Sequence, residues 1–165
     1  MRQRRRATEA EASALASGVR MRIIRLTYAE ALTNKELAER LGKDPATTLH
    51  HVRRLVETGF LEPQPPRKGN RGAKEIPYLS TGLSWQLDNC DSEGIGEAML
   101  EAFLAEVAET GPGELDQSRL VVQIPAEERE EFRRRLAELL DEYAGRPKHP
   151  DSERLAVYLA LYPSR

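Results

Sequence analysis

The sequence predicts an α+β fold, and three observations carry that prediction. From residue 13 to residue 58 apolar side chains recur at helical spacing between recognisable caps. Between 60 and 80, Pro63, Pro65, Pro66 and Pro77 flank a Gly- and Asn-containing tip, the pattern of a short edge hairpin. From 119 to 162 an apolar run, a long amphipathic stretch and a second apolar run read as strand, helix and strand.

The first dozen residues carry Arg2, Arg4, Arg5 and Arg6 without apolar periodicity, so 1–12 is expected to be a disordered basic tail. A first helix is expected over about 13–31, with Leu15, Val19, Ile23 and Leu26 on one stripe. Thr33-Asn34-Lys35-Glu36 is a capping box that opens a short second helix, and Gly42 closes it. Asp44-Pro45, an N-cap followed by proline at the first helical position, opens a third helix only about three residues later. Two short helices across so brief a link cross as a helix-turn-helix. FLEPQP and KEIPYLS then flank PRKGNRGA as a wing with a basic tip. The expected N-terminal architecture is therefore a winged helix-turn-helix, three helices plus a β-hairpin wing.

Past Trp85 the composition turns acidic. A fourth helix is expected over 93–109, with Ile95, Met99, Ala102, Phe103 and Val107 inward. A small β-α-β region follows: strand 119–124, a helix from Pro125 to about 144, and strand 154–162, which is apolar on both faces and should be covered on both. The expected domains are the tail 1–12, a winged helix 13–85, and an acidic α/β part 86–165 that pairs subunits and has room for an unidentified small-molecule effector.

Charge sharpens this division. Residues 1–80 hold 16 Lys and Arg against 9 Asp and Glu, a balance of +7, whereas residues 81–165 hold 9 against 18, a balance of −9. A basic half suits a polyanion. No apolar run approaches the roughly 18 residues of a membrane span. Cys90 is the one cysteine, so no internal disulfide can form, and the N-terminus lacks the apolar core of a secretory signal. A cytoplasmic location is expected.

At about 100° per residue, Pro45, Leu49, Val52 and Val56 share one side of the third helix, with Leu55 at its margin. The other side offers Ala46, Thr47, His50, Arg54 and Glu57, flanked by His51 and Arg53. Arg can fork to guanine, Thr can meet a base or phosphate, and imidazole can donate to a base acceptor. The helix N-terminus favours phosphate. This face is expected to enter a DNA major groove, while Arg67, Lys68, Arg71 and Lys74 of the wing follow the backbone into the neighbouring groove.

Val19–Leu26 has the form VRxxIIxxL, Thr33–Leu41 the form TxxELAxxL, and Thr47–Leu61 the form TxxxHVxxLxxxGFL. Over about residues 15–82 the chain thereby resembles the ArsR-like winged helix-turn-helix transcriptional regulators. The resemblance implies a dimeric, sequence-specific DNA-binding regulator. It implies that Thr47, Thr48, His50, His51 and Arg54 occupy recognition-helix positions, and Arg67, Lys68, Asn70, Arg71 and Lys74 wing positions; Arg53 joins the DNA-facing set from its place on the flank of the exposed face. Metal-sensing members carry a Cys-x-Cys pair in the second or third helix. This chain has no cysteine before Cys90, so that property is not carried over, and neither metal nor cofactor is expected.

Other chemistry has little footing. Adjacent His50 and His51 point about 100° apart on a helix and cannot chelate one ion without further ligands. Trp85 and Tyr78 could line an aromatic ligand pocket, but packing where the wing joins the fourth helix is the preferred reading. The RQRRR tail could enter a minor groove or make incidental phosphate contacts. No GxSxG, P-loop, HExxH or dinucleotide turn is present, so no catalysis is expected. The rival class is a winged helix that docks protein, which would need an apolar or acidic outer face on the third helix.

Overall fold

The computed structural model describes residues 4–69, 72–88, 94–111, 113–147, 149 and 151–164. They divide into two compact units, Arg4–Thr110 and a second built on Gly111–Arg165.

The first unit begins earlier than the sequence suggests. β1 (Arg5–Arg6) and α1 (Glu9–Leu15) occupy the stretch expected to be disordered. The reason is a second capping box. The Glu11 carboxylate accepts from the Thr8 N–H at 2.8 Å, and the Thr8 hydroxyl accepts from the Glu11 N–H at 3.2 Å. Glu11 also takes two hydrogen bonds from the Arg5 guanidinium, at 2.8 and 2.5 Å. The single helix expected over 13–31 is two, because Ser17 caps a new start and α2 runs Gly18–Leu26. Thr27 ends α2 with its hydroxyl donating to the Ile23 carbonyl at 2.8 Å.

β2 (Leu32–Thr33) leads into α3 (Asn34–Leu41), whose capping box forms as the sequence predicts. Gly42 closes α3 at φ +60°, a left-handed conformation natural to glycine. α4 (Pro45–Glu57) follows, and the Asp44 carboxylate accepts from the Ala46 and Thr47 N–H groups at 2.8 and 3.2 Å. The Asn34 side-chain amide donates to the Pro45 carbonyl at 2.9 Å and so joins the first turns of α3 and α4.

The wing is built from β3 (Leu61–Pro63), β4 (Arg67–Lys68), β5 (Lys74–Glu75) and β6 (Pro77–Ser80). β6 lies between β2 and β3, antiparallel to both, while β4 and β5 pair as a separate ladder at the tip. Pro65 and Pro66 fall between β3 and β4, where a residue without an N–H must interrupt the ladder. A 3-10 turn at Leu83–Gln86 delivers β7 (Leu87–Asp88), parallel to β1.

α5 (Ile95–Val107) completes this unit. Ile95, Ala98 and Ala102 are its buried side, Ile95 joins the common core, and the helix packs chiefly on α2. Two ion pairs extend the contact, Arg22–Glu109 at 2.6 Å and Arg25–Glu106 at 2.5 Å. The compact unit thus reaches Thr110, not the boundary expected at 85. Met99, expected inward, is 42% exposed, and Leu100 and Leu104 stand outward beside it. The core comprises Leu15, Ile23, Leu37, Val52, Leu55, Phe60, Leu61 and Ile95, each at most 2% exposed. Full burial of one such side chain is worth roughly 1.5–3 kcal/mol.

In the second unit, a 3-10 turn at Ala126–Glu128 opens α6 (Arg129–Ala144) close to the expected helix. The expected strands 119–124 and 154–162 belong to no sheet, and no described residue from 111 onward is buried. The expected covering of 154–162 on both faces is therefore not met within the chain. Two strands alone form a marginal sheet.

Candidate nucleic-acid interface

The buried stripe of α4 is Thr48, Val52 and Leu55, rotated slightly from the one expected. Pro45 is exposed, and Leu49 and Val56 are only half-buried. Thr48 can lie inward because its hydroxyl donates to the Asp44 carbonyl at 2.9 Å, which satisfies its polar group. It is fully buried, so it leaves the set of contact residues.

Thr47, His50 and Arg53 are exposed, and Arg54 is half-exposed beside them with its guanidinium 3.8 Å from Glu57. His51 turns partly inward. Its Nδ1 lies 3.4 Å from the Arg20 guanidinium of α2. Burial, then the charges of Arg20, His50 and Lys43, hold its pKa below the usual histidine value. The His50 and His51 rings meet edge to face with centroids 5.9 Å apart. Among the described residues no group of three or more His, Cys, Asp or Glu could hold a metal ion.

Arg20 is a cation that pattern reading passes over. Its guanidinium donates to the carbonyls of Ser13 at 2.8 Å and Ala14 at 2.5 Å, the last turn of α1. Burial and the neighbouring Arg54 lower its pKa from the free value. The signal available in the sequence is an arginine in the first turn of α2, where no helical reason calls for a positive charge.

In the wing, Arg67, Lys68 and Lys74 are exposed. Arg67 reaches back to the Glu36 carboxylate at 2.5 Å. Burial raises the Glu36 pKa, but the bonds from Thr33 and the charge of Arg67 outweigh it and leave the group below its ordinary value. The β4–β5 register sets Arg67 opposite Glu75, a favourable pair, and Lys68 opposite Lys74, an unfavourable one. Asn70 and Arg71 lie outside the described residues, as does Cys90. Tyr78 lines a shallow groove with Arg53, Val56, Glu57, Pro63 and Ile76, whereas Arg4 lies over the Trp85 ring at 4.1 Å.

A family model described as a helix-turn-helix domain matches residues 15–64, the span from the end of α1 through α4 to the first strand of the wing. Residues 15–64 are a helix-turn-helix domain. That domain coincides with the segment whose motifs resemble the ArsR-like family. No curated protein matches the chain. Among solved structures, a double mutant of Lactococcus lactis ZitR in apo form is 18% identical with a TM-score of 0.36, over 78% of this chain and 83% of that one. RV1404 from Mycobacterium tuberculosis is 19% identical with a TM-score of 0.35, over 83% of each chain. Likenesses at this level add no argument. Among the described residues no helix is long and apolar enough to cross a membrane.

Proposed function

We propose that the chain is a sequence-specific regulator that binds double-stranded DNA as a homodimer, with α4 of each helix-turn-helix domain in a major groove and the wing on the adjoining backbone. The observation that carries this reading is the uncovered outer face of α4. Thr47, His50 and Arg53 are exposed there and Arg54 is half-exposed, with no large apolar side chain among them, and the wing exposes Arg67, Lys68 and Lys74. That face is neither apolar nor acidic, as a protein-docking winged helix would require. The Lys68–Lys74 pairing supports the wing's part, because a bound phosphate relieves the repulsion between two ammonium groups directly opposite each other.

A homodimer favours a two-fold operator, so the half-sites are inverted repeats about one helical turn apart, roughly 34–36 Å. The acidic C-terminal part sets the pairing of subunits, and a cytoplasmic setting suits this role. Selection of bound fragments from genomic DNA tests the whole reading. The expected result is a set of fragments sharing an inverted repeat. Recovery of fragments without a shared motif, or affinity for duplex that does not change between two salt concentrations, overturns it.

A further inference from the structure

The second unit has the sequence pattern of a folded core and no interior. Leu120, Val121 and Val122 are 79%, 70% and 49% exposed, and Leu155, Val157, Leu159 and Leu161 are 84%, 55%, 49% and 48% exposed. The intervening α6 contributes an amphipathic stripe, yet none of its residues is buried, and Leu139 and Tyr143 on that stripe are more than half exposed. Exposed apolar surface on this scale marks an interface.

The two apolar segments differ in a sequence pattern that suggests their places in a sheet. Residues 119–124 alternate, with Leu120, Val122 and Ile124 on one side and Arg119, Val121 and Gln123 on the other, so that one face carries polar groups. Residues 154–162 are apolar in both alternating sets, apart from Arg154 at the start. A strand of that kind belongs in the interior of a sheet, with a neighbour on each edge. A strand–helix–strand unit supplies only one neighbour. Among the described residues the other strands of the chain are already paired within Arg4–Thr110. A second copy of the segment can supply the missing neighbour.

Resting on the homodimer reading above, we infer that residues 154–162 pair antiparallel with the same segment of a second copy, giving a four-stranded intersubunit sheet with 119–124 at each outer edge. Antiparallel pairing about the middle of the segment sets Arg154 of one copy near Tyr162 of the other, whereas parallel pairing would set arginine against arginine. Charge does not oppose the meeting, since residues 111–165 hold 9 Lys and Arg against 11 Asp and Glu. The 7 unbalanced acids of 81–110 lie outside this unit. The sheet gives 154–162 a neighbour on each edge, moves the open edges out to the more polar 119–124, and gives the α6 stripe a surface to cover.

Hydrogen exchange of the full chain at two concentrations, with sedimentation of Leu159→Lys, tests this. Amides of 154–162 are expected to be protected when the protein is dimeric and to lose protection on dilution to monomer. Leu159→Lys is expected to weaken the dimer by on the order of tenfold or more, equivalent to about 1.4 kcal/mol per factor of ten. Its circular dichroism and affinity for a single half-site are expected to match the parent. Protection that does not depend on concentration means that the segment is covered within its own chain and overturns the inference. An unchanged dimer in a folded Leu159→Lys protein points to another interface, such as the outer face of α5, and overturns it also. Neither outcome touches the DNA reading, which fails separately if duplex affinity ignores salt.

Discussion

Arg54 and Glu11 illustrate how single side chains divide between function and fold. Arg54 emerges on the outer face of α4, held only by a long ion pair to Glu57. Arg54→Ala is expected to lower specific affinity by about 1–3 kcal/mol if the guanidinium forks to a base. A gel-shift titration in which sequence preference is unchanged would remove it from that role. Glu11 belongs to the fold. The Arg5 guanidinium, aided by the Thr8 bonds and opposed by burial, holds its carboxyl down to about 2. A carboxylate with a folded pKa below its unfolded value contributes stability that is full above about 4.5 and fades as pH falls toward about 2. Thermal melts should therefore show the gap between the parent and Glu11→Gln closing across that interval. A gap that stays constant would mean the Arg5–Glu11 clasp does not form. The outer residues of α4 were legible because 3.6-residue periodicity exposes them. Thr48 joins the contact set only through the family resemblance, and it lies inward because a threonine whose hydroxyl bonds four residues back packs as an apolar side chain.

At the scale of elements, the caps decide where helices start. Asp44 satisfies two N–H groups of α4, so Asp44→Ala should cost about 1 kcal/mol of stability in a thermal or denaturant melt. It should also weaken DNA binding by loosening the end of α4 that enters the groove. The wing predicts a different signature. Loss of one phosphate contact, as in Lys68→Ala, should reduce the slope of log K against log salt by about 0.9 while leaving sequence preference intact. A titration with an unchanged slope would show that Lys68 stays off the backbone. α3, α4 and the hairpin could be read from Thr33, Glu36, Gly42, Asp44 and the prolines, since local chemistry fixes those boundaries. The break between α1 and α2 was harder. Apolar spacing continues through Ala16 and Ser17, and only the Ser17 hydroxyl marks the new start. β1 has no signature in the sequence, because two arginines become a strand only through their neighbour β7, which is about 80 residues away in sequence.

For the molecule as a whole, the position of α5 changes what counts as the DNA-binding unit. Its Ile95, Ala98 and Ala102 cover α2, and α2 in turn supports α4. A chain ended after Thr110 should unfold cooperatively with close to the parent's midpoint for that unit. One ended after Trp85 strips α2 of its cover and should melt lower, or fail to fold. Equal midpoints in the two truncations would show that α5 contributes nothing to the domain. The acidic composition past Trp85 suggested a boundary there. Composition tracks surface chemistry, however, and the buried side of α5 consists of small and aliphatic residues that carry no charge to count.

Glu36 caps α3 through Thr33 and also grips Arg67 of the wing. One carboxylate thus serves two masters, and the pair is lopsided. A replacement at 36 disturbs the start of a helix as well as the wing, whereas a replacement at 67 leaves the cap intact and removes the wing's tie together with one of its cations. The hold of the wing on α3 can therefore be altered at 67 with the helix cap left in place.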